Sequence, residues 1–365
     1  MAPSAHPVGA PIIVLIPMNG HASPVDTNDG NPAPPKRTHR RLLWLLAVAV
    51  PGVAVAASAG FVLLARGHST RDAPSASHAH PVTSAGSTQR KTPESNGRIV
   101  FASLRDGRFH IHVINADGTG EVVLTSGPDQ DRAPAWSPDG RWIAFTRQRG
   151  SPDSPSQTDV FIMRADGTGL VRLTKGSARE EDPSWTPDGA RIVVTAIAAS
   201  GRMRLRIDNV DGTKAVVLPG PPGGCDDREP AWSPDGLTIA FSRRCGEEAS
   251  GLFIMQADGT APRLLTTFGR TPDWSPDGSK LAYTGFGRYG PATFIMNADG
   301  TGKVQLTADY SGDPVWSPDG VRILFTVGDL ESLKLYVINL DGTGMRRLTE
   351  GPWDEATPSW GWSEP

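Results

Sequence analysis

From residue 97 onward, short apolar runs alternate with turns rich in Gly, Pro and Asp. Six of these runs, at 99–103, 142–146, 192–195, 239–242, 281–284 and 323–326, are apolar on both faces and too short for helices. Strands of that kind are sandwiched between other sheets. Five of them follow the phrase Pro-x-Trp-Ser/Thr-Pro-Asp-Gly, at 134–140, 183–189, 230–236, 272–278 and 314–320, and a truncated copy begins at Pro358. The tryptophans Trp136, Trp185, Trp232, Trp274, Trp316 and Trp360 are spaced by 49, 47, 42, 42 and 44 residues.

That period matches one four-stranded propeller blade. A second marker, Asp-Gly-Thr, runs in antiphase from Asp117, Asp166, Asp211, Asp258, Asp299 and Asp341. Each unit therefore reads as four strands. The first carries Trp, Pro-Asp-Gly turns it with Gly supplying positive φ, and the apolar run is second. A third strand such as 159–163 leads through Asp-Gly-Thr to a fourth such as 170–174. The region opens on a second strand and ends on a first strand at 358–362. The pattern predicts an all-β, six-bladed β-propeller over 97–365, its C-terminal strand completing the first blade and removing the exposed edges.

The preceding third reads differently. Residues 1–41 lack apolar periodicity and are expected to be a disordered cytoplasmic tail. Residues 42–65 form 24 consecutive uncharged positions, about 36 Å as a helix, enough for one transmembrane span. Lys36, Arg37, Arg40 and Arg41 before it outnumber Arg66 and Arg71 after it, which orients the N-terminus inside and the repeats outside. A competing reading is a signal peptide cleaved near 54–56, giving a secreted protein. Both export the repeats. Residues 66–96 read as a flexible linker.

The phrase Pro-x-Trp-Ser-Pro-Asp-Gly, an apolar run, Ala-Asp-Gly-Thr-Gly and Arg347-Leu348-Thr349 together resemble the TolB-like propeller repeat (WD40-like, PD40) across about 97–365. The resemblance implies a six-bladed fold. Propellers with this repeat include periplasmic binding proteins, regulatory domains of prolyl-oligopeptidase-like peptidases and some sugar lyases, so it leaves function open.

Composition narrows the chemistry. Gly 41, Pro 33 and 38% hydrophobic residues suit a turn-rich β protein with a core. A net charge of −3 without a basic stripe argues against a nucleic-acid partner. The repeated Trp, Asp and Gly are architectural, because a residue required six times is a poor candidate for a unique site. The unique residues lie between the fourth strand of one unit and the first of the next, in connections expected to form one face. There thirteen acids stand against four bases. Candidate partner-binding residues are Asp131, Arg132, Glu181, Asp182, Asp227, Arg228, Glu229, Arg270, Asp313, Asp354 and Glu355. Such an acidic mouth attracts a cationic ligand or basic peptide. Calcium is conceivable, although no regular Asp-x-Asp-x-Asp-Gly loop is present, and no cofactor is expected.

Cys225 and Cys245 are equidistant from the turn at 234–236, so they face each other across a hairpin and are expected to form a disulfide outside the cell. His110 and His112 share one face of a third strand, where His112 takes the place of Phe161, Phe253, Phe294 and Tyr336 and reads as a packing residue. There is no Gly-x-Ser-x-Gly elbow, phosphate loop or Cys/His metal spacing. The expectation is a monomeric, membrane-anchored binding module presenting an acidic face to a protein or peptide partner. The alternative is a propeller enzyme acting on carbohydrate or peptide at the channel mouth.

Overall fold

A computed structural model describes residues 97–150, 157–176, 178–220, 223–246, 250–328 and 332–362. The expected tail, membrane helix 42–65 and linker lie outside the described residues. Among those described there is no helix, and so none long and apolar enough to cross a membrane.

Among the described residues, twenty-four strands form six four-stranded antiparallel sheets. Blade one is built from both ends of the propeller. Its inner strand is Asp354–Gly361, followed outward by Arg98–Arg105, Arg108–Asn115 and Val122–Val123. The closing strand sets Trp360 opposite Ile99 and Gly361 opposite Arg98. Blades two to six begin with the inner strands Gln130–Trp136, Arg179–Trp185, Asp226–Trp232, Arg270–Trp274 and Ser311–Trp316. The closure read from the repeat is therefore the observed one.

Two strand lengths differ from the sequence reading, each for a physical reason. The outer strand expected at 170–174 contracts to Val171–Arg172. It is the solvent edge of its sheet, where a very short strand leaves little unpaired backbone. The inner strands, in contrast, begin well before Pro-x-Trp. In each, the residue before Pro adopts a left-handed φ: Ala133 48°, Asp182 53°, Glu229 53°, Thr271 47°, Asp313 48° and Thr357 47°. The pairing register shifts at the same place in every blade. This is a β-bulge, and it carries the ladder past a proline that has no N–H to give. Proline is tolerated because the inner strand is an edge. All eleven candidate residues consequently lie on inner strands, where the sequence reading had placed them in connecting loops.

Six apolar clusters fill the spaces between neighbouring blades, and each contains one repeat tryptophan, at most 8% exposed. Trp136, for example, joins Val100, Ile111 and Val113 of blade one to Ile143, Phe145 and Met163 of blade two. His112 is buried and its ring lies 5.7 Å from Phe101, in the position of the Phe145–Phe161 and Phe241–Phe253 pairs. Cys225 and Cys245 form a disulfide, one step beyond the Asp226–Arg244 pair of blade four.

Trp360→Ala removes the wedge at the closure and should lower the unfolding free energy by about 3–5 kcal/mol, read by urea denaturation. The Cys225→Ser, Cys245→Ser double variant should lose about 3 kcal/mol, the chain-entropy value for a loop of this size. Wild-type midpoints in both variants would contradict the closure and the bridge respectively.

Candidate functional site: an acidic axial channel

Down the axis runs a cavity of about 570 Å³ walled by the inner strands of all six blades. The side chains form layers because the strands are equivalent. The bulge layer is Ala133, Asp182, Glu229, Thr271, Asp313 and Thr357; two residues later comes Ala135, Ser184, Ala231, Asp273, Val315 and Ser359. The tryptophans and the prolines following them close the opposite end.

The bulge layer is tied together across blades. Left-handed bulge residues turn their N–H groups away from their own ladder, and each finds an acceptor on the previous blade. Asp182 N donates to Thr146 Oγ1 (3.2 Å), Glu229 N to Thr195 Oγ1 (3.2 Å) and Thr271 N to Glu229 Oε2 (3.0 Å). Asp313 N donates to Thr284 Oγ1 (3.0 Å), Thr357 N to the Asp313 carboxylate, and Ala133 N to Thr357 Oγ1 (3.1 Å). Six bonds complete the circle. Glu229 and Asp313 are thus fixed by backbone amides, while among the described residues Asp182 receives the Thr195 hydroxyl at 3.3 Å.

The structure sorts the candidate acids into two sets. Asp131, Asp227 and Glu355 turn into the blades and are buried. Asp131 holds Arg147 through two bonds of 2.6 and 2.8 Å, Asp227 holds Arg243 at 2.6 and 2.9 Å, and Glu355 holds Lys334 at 3.1 Å. Glu180 does the same with Arg206 at 2.8 Å. Asp354 accepts from Leu333 N at 3.0 Å. The charges of Asp131, Glu180, Asp227 and Glu355 are internally neutralised, so the acidic excess at the mouth is smaller than the sequence tally.

Asp182, Glu229 and Asp313 instead face the lumen, with Glu181 half-buried beside them. The bases stand around the rim. Arg132 lies 4.3 Å over the Phe109 ring, Arg228 approaches Glu229 at 4.0 Å, and Arg270 is exposed near Asp313. Asp273, which the sequence reading did not select, is a fourth lumen acid. Its Oδ2 accepts from Trp316 N at 2.7 Å, as the hydroxyls of Ser359 and Ser184 accept from Trp136 N and Trp232 N. The signal was visible in the repeat: at the variable position of Pro-x-Trp, the other copies carry Ala, Ser or Val.

Water reaches these carboxylates only along the lumen, and protein encircles them. Burial, reinforced by the neighbouring Glu229 and Glu181, pushes Asp182 up to about 7. Burial alone pushes Asp273 up to about 7. Asp313 is raised by burial as well, with Arg270 opposing. Like-charged carboxylates in a poorly solvated site favour a proton or a cation. Among the described residues, no cluster of three or more His, Cys, Asp or Glu has metal-ligand geometry.

Two outcomes follow. Asp227→Ala strands buried Arg243 and should cost about 3–5 kcal/mol, whereas Asp182→Asn, which keeps the neutral form that burial favours, should raise the urea midpoint at pH 7 above that of wild type. Because the folded pKa of Asp182 and Asp273 exceeds the unfolded value, the folded state binds more protons between about pH 4 and pH 7. Their contribution to stability is full below that window, falls as pH rises through it, and is constant above. The Asp182→Asn, Asp273→Asn variant should lose this slope in melting curves taken from pH 4 to pH 8.

A family model for the TolB beta propeller domain matches residues 90–270 and 252–363. The Tol-Pal system protein TolB of Zymomonas mobilis is 56% identical over 41 residues, which is 11% of this chain and 9% of that protein. The match thus spans about a tenth of the curated relative's length. The crystal structure of TolB from Acinetobacter baumannii superposes with a TM-score of 0.64 at 19% identity, covering 73% of this chain and 67% of that one. An oligogalacturonate lyase in complex with manganese superposes with a TM-score of 0.51 at 17% identity, over 70% of this chain and 74% of its own. Both structures show the shared fold. With six Pro-x-Trp repeats closing one ring and the family match extending across it, the chain belongs to the TolB beta propeller domain family.

Proposed function

We propose that this propeller is a binding module, held outside the membrane by the apolar segment 42–65, that engages a protein or peptide partner at the acidic end of its channel. The observation that carries this reading is the ring of Asp182, Glu229 and Asp313. Their carboxylates line one opening, and none is neutralised by a buried base in the way Asp131, Asp227 and Glu355 are. A low-dielectric channel lined by one sign of charge focuses its field at the mouth. A lysine or arginine side chain entering there meets fixed acceptors, and the amides and hydroxyls holding Glu229 and Asp313 limit rearrangement on binding. Membership in a family whose relatives include Tol-Pal system proteins supports a protein partner in the cell envelope.

A non-enzymatic role is the better reading. The described lumen residues are carboxylates, small hydroxyls, prolines, indoles and small apolar side chains such as Ala133, Ala135, Ala231 and Val315, without a histidine, cysteine or lysine among them. Glu229, Asp273 and Asp313 are also engaged with backbone amides, which suits recognition more than proton shuttling.

The test uses soluble residues 90–365 and a panel of fluorescein-labelled peptides matched in length, carrying Lys or Arg, or Gln at the same positions. The basic peptides should bind, and the Asp182→Asn, Glu229→Gln, Asp313→Asn variant should weaken them at least tenfold. Asp227 is left intact, because its loss would unfold the blade. Binding should also weaken as pH falls from 8 to 6, since Asp182 takes up a proton over that range. Equal affinity in wild type and variant would remove the ring as the binding element.

A further inference from the structure

The six-fold pattern breaks most sharply at blade five. Among the described residues, the aromatic side chains that are more than half exposed are Phe268, Phe286, Tyr289 and Tyr310, at 63, 67, 69 and 59%. All four lie at one end of this blade. Phe268 precedes the inner strand of blade five, Tyr310 precedes that of blade six, and Phe286 and Tyr289 belong to the hairpin between the second and third strands of blade five. Arg270 opposite Thr284 places the hairpin tip at the same end as the start of the inner strand.

Two contacts and two hydrogen bonds gather these residues around one hairpin. The Phe268 and Phe286 rings meet edge to face with centroids 6.2 Å apart. A Cβ on Gly290 would sit 3.2 Å from the Tyr310 ring, so that ring lies against the hairpin tip. Tyr289 N donates to Asp309 Oδ2 at 2.7 Å, and Tyr310 N donates to Pro291 O at 2.6 Å, which fastens tip to connection. Phe268 and Tyr310 also hold left-handed φ values of 59° and 71°, a conformation that bulky side chains rarely adopt. A fold under no other demand would place Gly or Asn at such positions, and would not expose four aromatic rings together.

Position relative to the channel identifies the occupant. Phe268 is three residues from Thr271 and Tyr310 three from Asp313, both in the bulge layer. Three extended residues reach about 10 Å at most. The aromatic surface therefore borders the acid ring. Arg270 and Arg288 flank it, with the Arg288 guanidinium 5.2 Å over Tyr289, so a cation is disfavoured on the surface itself and favoured in the ring beside it. The complementary ligand carries an apolar side chain and, about three residues away, a basic one.

We propose that the blade-five aromatics are the anchor of a peptide-binding surface, seating an apolar side chain of the partner segment whose basic side chain enters the channel. This rests on the reading of the acid ring above. Aromatic rings of this kind supply most of the affinity where they are packed and desolvated, and the ring of carboxylates then sets orientation.

The test pans a phage-displayed library of random twelve-residue peptides against the full-length chain. Enriched peptides should pair a large apolar residue with Lys or Arg at a separation of about three. Synthetic copies should bind at least tenfold more weakly to Phe286→Ser and to Tyr289→Ser, neither of which has a left-handed backbone, while the melting temperature stays at the wild-type value. A library without enrichment, or peptides indifferent to both substitutions, would overturn the proposal. Peptides that lose affinity with Asp182→Asn but not with Phe286→Ser would leave the channel reading intact and remove the anchor. Peptides that lose affinity with Phe286→Ser but not with Asp182→Asn would remove the channel reading instead. Selection of purely apolar peptides has that same consequence.

Discussion

Every blade of this molecule has an inner edge with no neighbouring strand, and the whole architecture depends on how that edge is satisfied. A lumen cannot pair backbone groups as a strand does, and unpaired buried amides are costly. The bulge before each proline turns one N–H out of its ladder, and the preceding blade accepts it through Thr146, Thr195, Glu229, Thr284, Asp313 or Thr357. The same residue position thus terminates one sheet's hydrogen bonding and joins it to the next. Apolar packing behind it, with one tryptophan per interface, supplies the non-directional part of the cohesion.

That constraint also explains why the acids divide as they do. Residues two apart on a regular strand share a face, but the bulge breaks that alternation, so acids on either side of it part into different environments. Asp227 points into the blade and needs Arg243; Glu229, two residues on and past the bulge, points into the lumen and caps Thr271. The buried set is neutral by pairing and serves the blade. The lumen set keeps its charge at the mouth, held partly in check by burial, which raises Asp182 and Asp273 toward neutrality. An architectural demand for hydrogen-bond acceptors could be met by hydroxyls throughout, as Thr357 shows in blade one. Where carboxylates stand instead, the ring gains an electrostatic character that the fold itself does not require.

Departure from symmetry is then the useful guide to function. Six copies of one packing solution leave the ring with equivalent positions, and a position occupied differently in one blade is free of the common constraint. Asp273 in a small-residue layer is one such departure. The exposed rings of blade five are another, since neither the inter-blade clusters nor the closure uses them.

The number of blades, the closure of the first blade by the last strand and the Cys225–Cys245 bridge were all legible in the chain. They follow from local periodicity: a 42–49 residue repeat with its turn chemistry, and two cysteines equidistant from one turn. The rough location of the acidic residues was legible too, because they interrupt the repeat. What each acid does was not. Asp131 and Asp182 look alike in sequence, yet one is sealed against Arg147 and the other faces a channel. That difference arises from the bulge, which reverses side-chain direction within a strand, and from partners contributed by other strands and other blades. The aromatic surface escaped sequence reading for the same reason, since Phe268, Phe286 and Tyr310 come together only when two connections and a hairpin converge on blade five. Local pattern decides how a chain repeats; which side chains share a space is decided by the ring that the repeats close.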